Sequence, residues 1–181
     1  MHRLLQTAFA LIGLLCIVPF ASAWDFDATT KAQIDTDVDY AINNLYASVP
    51  GSKDLISRAA GVLVFPRAGF MVGGQHGGGA LRIGDNNVGY YHTDQMTVDV
   101  RPGASRVSVA IVFMTKDALQ RFQANNDWDV GADPSVAQVT AGTLGKAEAS
   151  QSGKPVQMFV YGDKGLVGPV ALQGAKITKA G

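Results

Sequence analysis

The chain has 181 residues, 47% of them hydrophobic, and its 15 basic and 15 acidic side chains leave no formal net charge. This balance argues against broad electrostatic capture of nucleic acid, which needs a strong basic excess, so no nucleic-acid partner is expected. Glycine is abundant, with 21 residues, whereas cysteine occurs once.

The first 23 residues have the three parts of a cleavable secretory signal. A charged start at residues 2–3 is followed by an unbroken apolar run over residues 8–20 and by the small residues Ala21-Ser22-Ala23. The apolar run has about 13 residues, too few to span a bilayer as a helix, so a retained anchor is the less favoured alternative. We therefore predict that residues 24–181 form a single domain, exported to the periplasm or the extracellular space.

The single cysteine, Cys16, lies inside this predicted signal. A lipoprotein signal requires a small residue just before the lipidated cysteine, whereas here Leu14 and Leu15 precede it. A lipid anchor on Cys16 is thus the less favoured alternative. The exported domain would then contain no cysteine, no disulfide and no thiol chemistry.

Three helices are expected, in chain order, from apolar spacing and capping residues. The first spans residues 27–49, ends at Pro50-Gly51, and carries apolar side chains at three- and four-residue steps. The second runs from Lys53 to Ala60 with Ser52 as its N-cap, and the third from Lys116 to Ala124 with Thr115 as its N-cap. Three aspartates of the first helix are assigned to a solvated face: Asp35, Asp37 and Asp39.

Strands are expected where the hydrophobic period becomes two or where a short apolar run is bounded by turn residues. Residues 107–114 form the most apolar segment after the signal and predict a central strand. Asp127 and Asp129, which flank Trp128, are assigned to a loop, and Asp163-Lys164-Gly165 to a hairpin turn. The other predicted strands are 62–65, 70–83, 88–92, 96–100, 136–140, 156–161 and 166–172.

The order of these elements favours an α+β fold. The strands follow one another through short turns and do not alternate with helices of crossover length, which is typical of antiparallel sheets. Glycines recur within the strands, which indicates bulges, strong curvature or close backbone approach. We predict a curved antiparallel glycine-rich sheet or a partly closed barrel, with the N-terminal helices packed on it.

No catalytic constellation emerges from the sequence, and neither an enzyme nor a cofactor is expected. The glycine-rich segment 73–79 is followed by Ala80-Leu81-Arg82 and lacks the lysine and hydroxyl residue of a phosphate loop. His76 and His92 are 16 residues apart without cysteine, a weak pattern for a metal, so no metal site is expected. A hydrolase triad has no supporting motif such as GxSxG.

Four basic side chains are the candidate site. Lys53, Arg58 and Arg67 lie around the second helix and the strand that follows it, and Arg82 lies on the glycine-rich strand. Together with the backbone amides of a glycine-rich turn, such side chains can hold an anionic head group. The alternative is that each is an ordinary solvated charge.

Four ordered blocks resemble the SYLF domain family, which includes lipid-binding proteins and yeast actin-binding relatives. The likeness covers roughly residues 32–177. The blocks are Gly61-Val-Leu-Val-Phe-Pro66 with Arg67-Ala-Gly-Phe70 and Gly77-x-Gly79-Ala-Leu81; Ile111-Val-Phe-Met-Thr115 with Ala118-Leu119-x-x-Phe122; Gly131-Ala-Asp133 with Ser135-Val-Ala137; and Tyr161, Gly165-Leu166 and Leu172-x-Gly174-Ala-Lys176. Two departures from the family pattern are a shortened turn after Pro66 and a middle strand that keeps only Gly103-Ala104.

The resemblance implies membrane-lipid binding, with phosphoinositides preferred by eukaryotic members, and no established catalysis. Actin is not expected as a partner of an exported protein. The first hypothesis is therefore a non-catalytic module that binds a phospholipid or a membrane surface. The alternative is a structural or interaction domain of the cell envelope, with a protein partner and no lipid ligand.

Overall fold

The computed structural model describes residues 28–66, 77–94, 107–139, 153–167 and 175–180. Three helices and nine strands lie in these ranges. The helices are α1 (Ala28–Ser48), α2 (Ser52–Ser57) and α3 (Lys116–Ala124). The strands are β1 (Gly61–Phe65), β2 (Gly77–Ile83), β3 (Asn86–Asp94), β4 (Ser108–Phe113), β5 (Asp127–Asp129), β6 (Val136–Val139), β7 (Val156–Gly162), β8 (Gly165–Leu166) and β9 (Lys176–Lys179).

Helices α1 and α3 confirm the predictions made from apolar spacing and capping. One stripe of α1 is buried, at Ile34, Val38, Ala41, Ile42, Leu45 and Val49. The side chain of Thr115 accepts a hydrogen bond from the backbone amide of Ala118 at 3.2 Å, as an N-cap does.

The predicted cap of α2 is wrong. Gly51 is the N-cap and has a φ of 83°, a conformation that glycine adopts without steric cost. The hydroxyl of Ser52 instead donates a hydrogen bond to the carbonyl oxygen of Leu45 at 3.0 Å, which ties α2 to α1. The helix also ends earlier than predicted, at Ser57.

One nine-stranded sheet contains all the strands, in the order β5-β9-β3-β2-β1-β4-β7-β6, with β8 paired to β7. Most pairs are antiparallel, as predicted, but β6 and β7 are parallel, so the sheet is mixed. The segment Asp127–Asp129 was expected to be a loop; it is instead an edge strand that pairs with β9, which was not predicted. The predicted strand 96–100 lies outside the described residues.

The chain path itself requires the sheet to curl. β5 and β6 lie at the two ends of an eight-strand path, which would be about 34 Å long in a flat sheet at about 4.8 Å per strand. Only residues 130–135 join β5 to β6, and the seven steps from Asp129 to Val136 span at most about 24 Å. The two edges must therefore approach each other, which confirms the predicted α+β fold with a curved, partly closed sheet.

The concave face holds the larger apolar core. Side chains from β5, β9 and β3 at one end of the sheet and from β4 and β7 near the other share this cluster, and α3 packs into it. Four aromatic rings meet there: Phe122 contacts the rings of Tyr91, Phe113 and Trp128 with centroids 4.8–5.3 Å apart. This cluster closes one side of the curled sheet.

The convex face holds a second core beneath the N-terminal helices. The buried stripe of α1 and Leu55 of α2 pack against the central strands β1, β2, β4 and β7. The hydroxyl of Tyr161 donates to the carbonyl oxygen of Ala41 at 3.0 Å, and burial raises the pKa of this phenol well above its usual range. α1 and α3 therefore lie on opposite faces of the same sheet.

Candidate functional site

Two of the four predicted basic site residues lie at the ends of α2: Lys53 in its first turn and Arg58 as its C-cap residue. Lys53 and Arg58 are both exposed, and the Nε of Arg58 donates to the carbonyl oxygen of Asp54 at 3.2 Å. Leu55 and Ser52 are buried and hold the helix against α1. The two cations are thus presented to solvent by an anchored helix on the convex side.

Arg82 is engaged elsewhere. Its side chain, 16% exposed, forms a salt bridge with Asp39 of α1 and donates from Nε to Oδ1 of Asn87 at 3.0 Å. These contacts direct the guanidinium toward α1 and neutralise part of its charge. Arg67 and the residues that follow it up to residue 76 lie outside the described residues, so the four-residue site stays a prediction.

Asp35 was assigned to a solvated face of α1, and this is wrong, because it is half-buried; Asp39 is exposed as predicted, although it pairs with Arg82. Oδ1 of Asp35 accepts hydrogen bonds from Nδ2 of Asn87 at 2.6 Å and from the hydroxyl of Tyr90 at 3.0 Å. We call Asp35, Asp39, Arg82, Asn87 and Tyr90 the polar cluster. Burial and the neighbouring carboxylate of Asp35 raise the pKa of Tyr90. The cluster fastens α1 to the β2–β3 hairpin.

The sequence does contain a signal for this cluster. Lys31, Asp35 and Asp39 recur every four residues, so they form one stripe on α1 beside its apolar stripe. The Nζ atom of Lys31 lies 5.6 Å from the centre of the Tyr90 ring, in cation–π range. A charged stripe that borders a buried one is well placed to meet partners on the sheet.

A pocket of about 390 Å³ opens where the curled sheet fails to close. Its walls come from α3, from residues 130–135 that join β5 to β6, and from the start of β7. We call it the seam pocket. Its floor is apolar, with Phe113, Phe122, Trp128 and Val156, and it continues the concave core. The seam pocket exists only because two sheet edges approach each other, so no local sequence pattern predicts it.

Polar groups stand at the rim of the seam pocket. The indole Nε1 of Trp128 donates to Oδ2 of Asp133 at 2.8 Å, and the amide of Ser135 donates to Oδ1 at 2.8 Å. Burial alone would raise the pKa of Asp133, but hydrogen bonds from Ser135 and Trp128 and the charge of Arg121 outweigh it, so the pKa is lowered. Asp133 is therefore ionised at neutral pH.

Arg121 and Lys154 supply the positive charges near this rim. Arg121 lies 3.3 Å from Asp117 in an exposed pair along α3, and its guanidinium also lines the pocket. The Nζ of Lys154 donates to the carbonyl oxygen of Pro134 at 2.7 Å, which braces the wall formed by residues 130–135. Positive and negative groups therefore both lie near the opening.

Two further observations concern the described part of the chain. None of its helices is both long and apolar enough to cross a membrane. In the same residues, no group of three or more His, Cys, Asp or Glu side chains is placed to hold a metal ion. His92 lies half-buried on β3, whereas His76 lies outside the described residues.

Comparison with known families gives a match over the C-terminal half of the chain. Residues 94–181 match the Ysc84 family, described as "Las17-binding protein actin regulator". The matched segment includes α3, strands β4 to β9 and every residue that lines the seam pocket. No curated protein matches the chain. The resemblance drawn from the sequence is thereby confirmed for residues 94–181, which match the Ysc84 (SYLF) family.

Proposed function

We propose that this protein is an exported, non-catalytic module that binds membrane lipids through their head groups. The family description names a binding role, which supports a binding module over an enzyme. The observation that carries the lipid hypothesis is the exposure of Lys53 and Arg58 on α2, a helix whose own anchors are buried. Such a pair can approach an anionic membrane without any change in the fold.

The four predicted basic residues have unequal roles in head-group binding. Lys53 and Arg58 make the head-group contacts, and Arg67 follows them in the chain and is retained as a third contact. Arg82 contributes less, because Asp39 already neutralises part of its charge in the polar cluster. Asp54 on α2 also lowers the local positive charge, so the interaction is expected to be weak and sensitive to salt.

Flotation with vesicles tests the proposal directly. The mature domain should float with vesicles that contain anionic phospholipid and remain behind with purely zwitterionic vesicles. Each basic side chain near an anionic surface contributes about 1 kcal/mol, so Lys53→Ala with Arg58→Ala should weaken binding about 30-fold. A matched control, Lys116→Ala with Lys179→Ala, removes the same charge from exposed positions on α3 and β9 and should bind as before.

Two outcomes contradict the proposal. Absence of flotation with every vesicle composition would remove lipid binding and favour the alternative, an interaction domain of the cell envelope with a protein partner. Equal losses in the two double variants would show that α2 is not the contact surface.

Export is tested separately by mass spectrometry of the native N-terminus. A protein that begins at Trp24 supports the cleaved signal, and one that begins at a lipidated Cys16 supports the anchored alternative. A native protein that begins at residue 1 or 2 would contradict export.

A further inference from the structure

We propose that the seam pocket binds the aliphatic chain of a zwitterionic, single-chain amphiphile, of the lysophospholipid type. The ligand class rests on the proposed function, but the site lies away from α2 and was not indicated by the basic residues of the sequence.

The position and floor of the pocket suit an apolar chain. A volume of about 390 Å³ falls within the range of small-molecule sites, and the mouth of a curled sheet is a common place for them. Phe122, Val156 and Trp128, which are 2–7% exposed, line its base and belong to the concave core, so an aliphatic chain that enters would lie against that core. Covering this apolar surface is favourable by the hydrophobic effect.

The rim sets the preference for the head group. Arg121 pairs with Asp117, and its charge also acts on Asp133, while Lys154 lies at the wall, so the formal charges of these four groups sum to zero. A carboxylate head would meet Arg121 but would also face the ionised Asp133. A zwitterionic head can place its phosphate near Arg121 and its ammonium near Asp133, which satisfies charges of both signs.

Trp128 makes the site observable. The chain has two tryptophans, Trp24 and Trp128, so Trp24→Phe leaves Trp128 as the only indole. Trp128 lines the pocket, is 7% exposed, and donates its N–H to Asp133. A ligand in the pocket should therefore change the indole fluorescence, and bromine atoms on the ligand chain should quench it.

The experiment titrates the full-length Trp24→Phe protein with dodecylphosphocholine below its micelle concentration, and then with a brominated-chain lysophosphatidylcholine. We expect a saturable change at one ligand per chain, quenching by the brominated probe, and about tenfold weaker binding of dodecanoate. Phosphocholine without a chain should leave the fluorescence unchanged. An absent response to both chain-bearing amphiphiles, or an equal response to phosphocholine alone, would overturn the proposal. Equal or tighter binding of dodecanoate would overturn the zwitterionic preference.

A pair of matched substitutions on α3 locates the ligand. Ala118 lines the pocket and Ala124 is exposed at the end of the same helix, so Ala118→Leu fills the site and Ala124→Leu does not. We expect at least tenfold weaker binding in the first and no change in the second. If Ala118→Leu does not unfold cooperatively, Arg121→Gln is used in its place, because this exposed rim side chain does not contribute to the core. Unchanged ligand affinity in Arg121→Gln would contradict the role of the rim.

Failure of this inference can be told apart from failure of the proposed function. Vesicle flotation depends on Lys53 and Arg58, whereas the fluorescence titration reports on Trp128 with soluble ligands. Flotation without a Trp128 response would leave membrane binding in place and remove the pocket. A Trp128 response without flotation would keep the amphiphile site and remove the membrane-surface role.

Discussion

Gly79→Ala is the substitution whose cost the structure defines most closely. A Cβ atom built at Gly79 would lie 2.5 Å from Cδ1 of Phe65 and 2.5 Å from the carbonyl oxygen of Val64. Real Cβ atoms essentially never approach so closely, so a neighbour must move. The Phe65 ring is fully buried, and the Val64 carbonyl belongs to the β1 backbone in the centre of the sheet. Neither neighbour can therefore move away at low energetic cost.

Overpacking of a core costs about 1–3 kcal/mol, and this site should lie near the upper end. Alanine restricts the unfolded chain more than glycine does, which offsets this cost by about 0.4–1 kcal/mol. The free energy of unfolding should therefore fall by about 2 kcal/mol in total. At 2–4 °C per kcal/mol, the melting temperature should fall by about 4–8 °C. Urea unfolding followed by circular dichroism measures the free energy directly.

Gly89→Ala is the matched control for Gly79→Ala. Its added Cβ would lie 3.3 Å from Cε2 of Tyr91, a contact that requires a shift of only a few tenths of an ångström, so it should cost under about 1 kcal/mol. The double variant Gly79→Ala/Phe65→Leu should lose less than the two single losses added together, because the shorter side chain removes the ring contact. Equal losses at Gly79 and Gly89, or strict additivity with Phe65→Leu, would refute the reasoning.

Two further predictions concern polar contacts. Asp35→Ala removes the carboxylate that Tyr90 and Asn87 bind and should lower the free energy of unfolding, measured in urea, by about 1–3 kcal/mol. The control Asp37→Ala, on the same helix, should lower it by less than about 0.5 kcal/mol. Similar losses in the two variants would contradict the role of the polar cluster. Asp133 has a lowered pKa when folded, so its contribution is present above the unfolded value near 3.8 and is lost as the pH falls through the folded value. Between pH 5 and pH 2 the parent protein should therefore lose more stability than Asp133→Asn, and parallel pH profiles would contradict this.

Much of the fold follows from local signals, and the exceptions are non-local. Apolar spacing predicts α1, a threonine cap predicts the start of α3, and unbroken apolar runs predict β1 and β4. By contrast, Asp127-Trp128-Asp129 has the composition of a turn and becomes a strand because β9 lies beside it. The parallel pairing of β6 with β7 likewise depends on the curl of the whole sheet.

The candidate site likewise combines features that the local sequence predicts with features that depend on distant residues. The charges of Lys53 and Arg58 are local features of the sequence and predict their exposure, whereas the N-cap of α2 is Gly51 and was not predicted. The engagement of Arg82 was not, because its partner Asp39 lies 43 residues away and on another element. The seam pocket joins residues of α3 and β5 to β7, which lies far from them in the sequence, so only the three-dimensional structure reveals it.

The sheet order bears on the extent of the domain. The family match begins at residue 94, yet β1, β2 and nearly all of β3 precede that point and occupy the middle of the sheet, between β9 and β4. A fragment of residues 94–181 would keep β5 with β9 and β4 with β7 and β6, but would lack the strands that join these two groups. Its concave core would also lose Leu63, Phe65 and Leu81.

We therefore predict that residues 94–181 alone do not fold, whereas residues 24–181 unfold in one cooperative transition. Circular dichroism and urea unfolding of the two proteins measure the difference. A cooperative transition in the short fragment would show that the matched segment is an independent domain and would contradict the single domain predicted from the sequence. The expected result, in contrast, would mean that the N-terminal half supplies the centre of the fold, because without it the two outer groups of strands share no hydrogen-bonded edge.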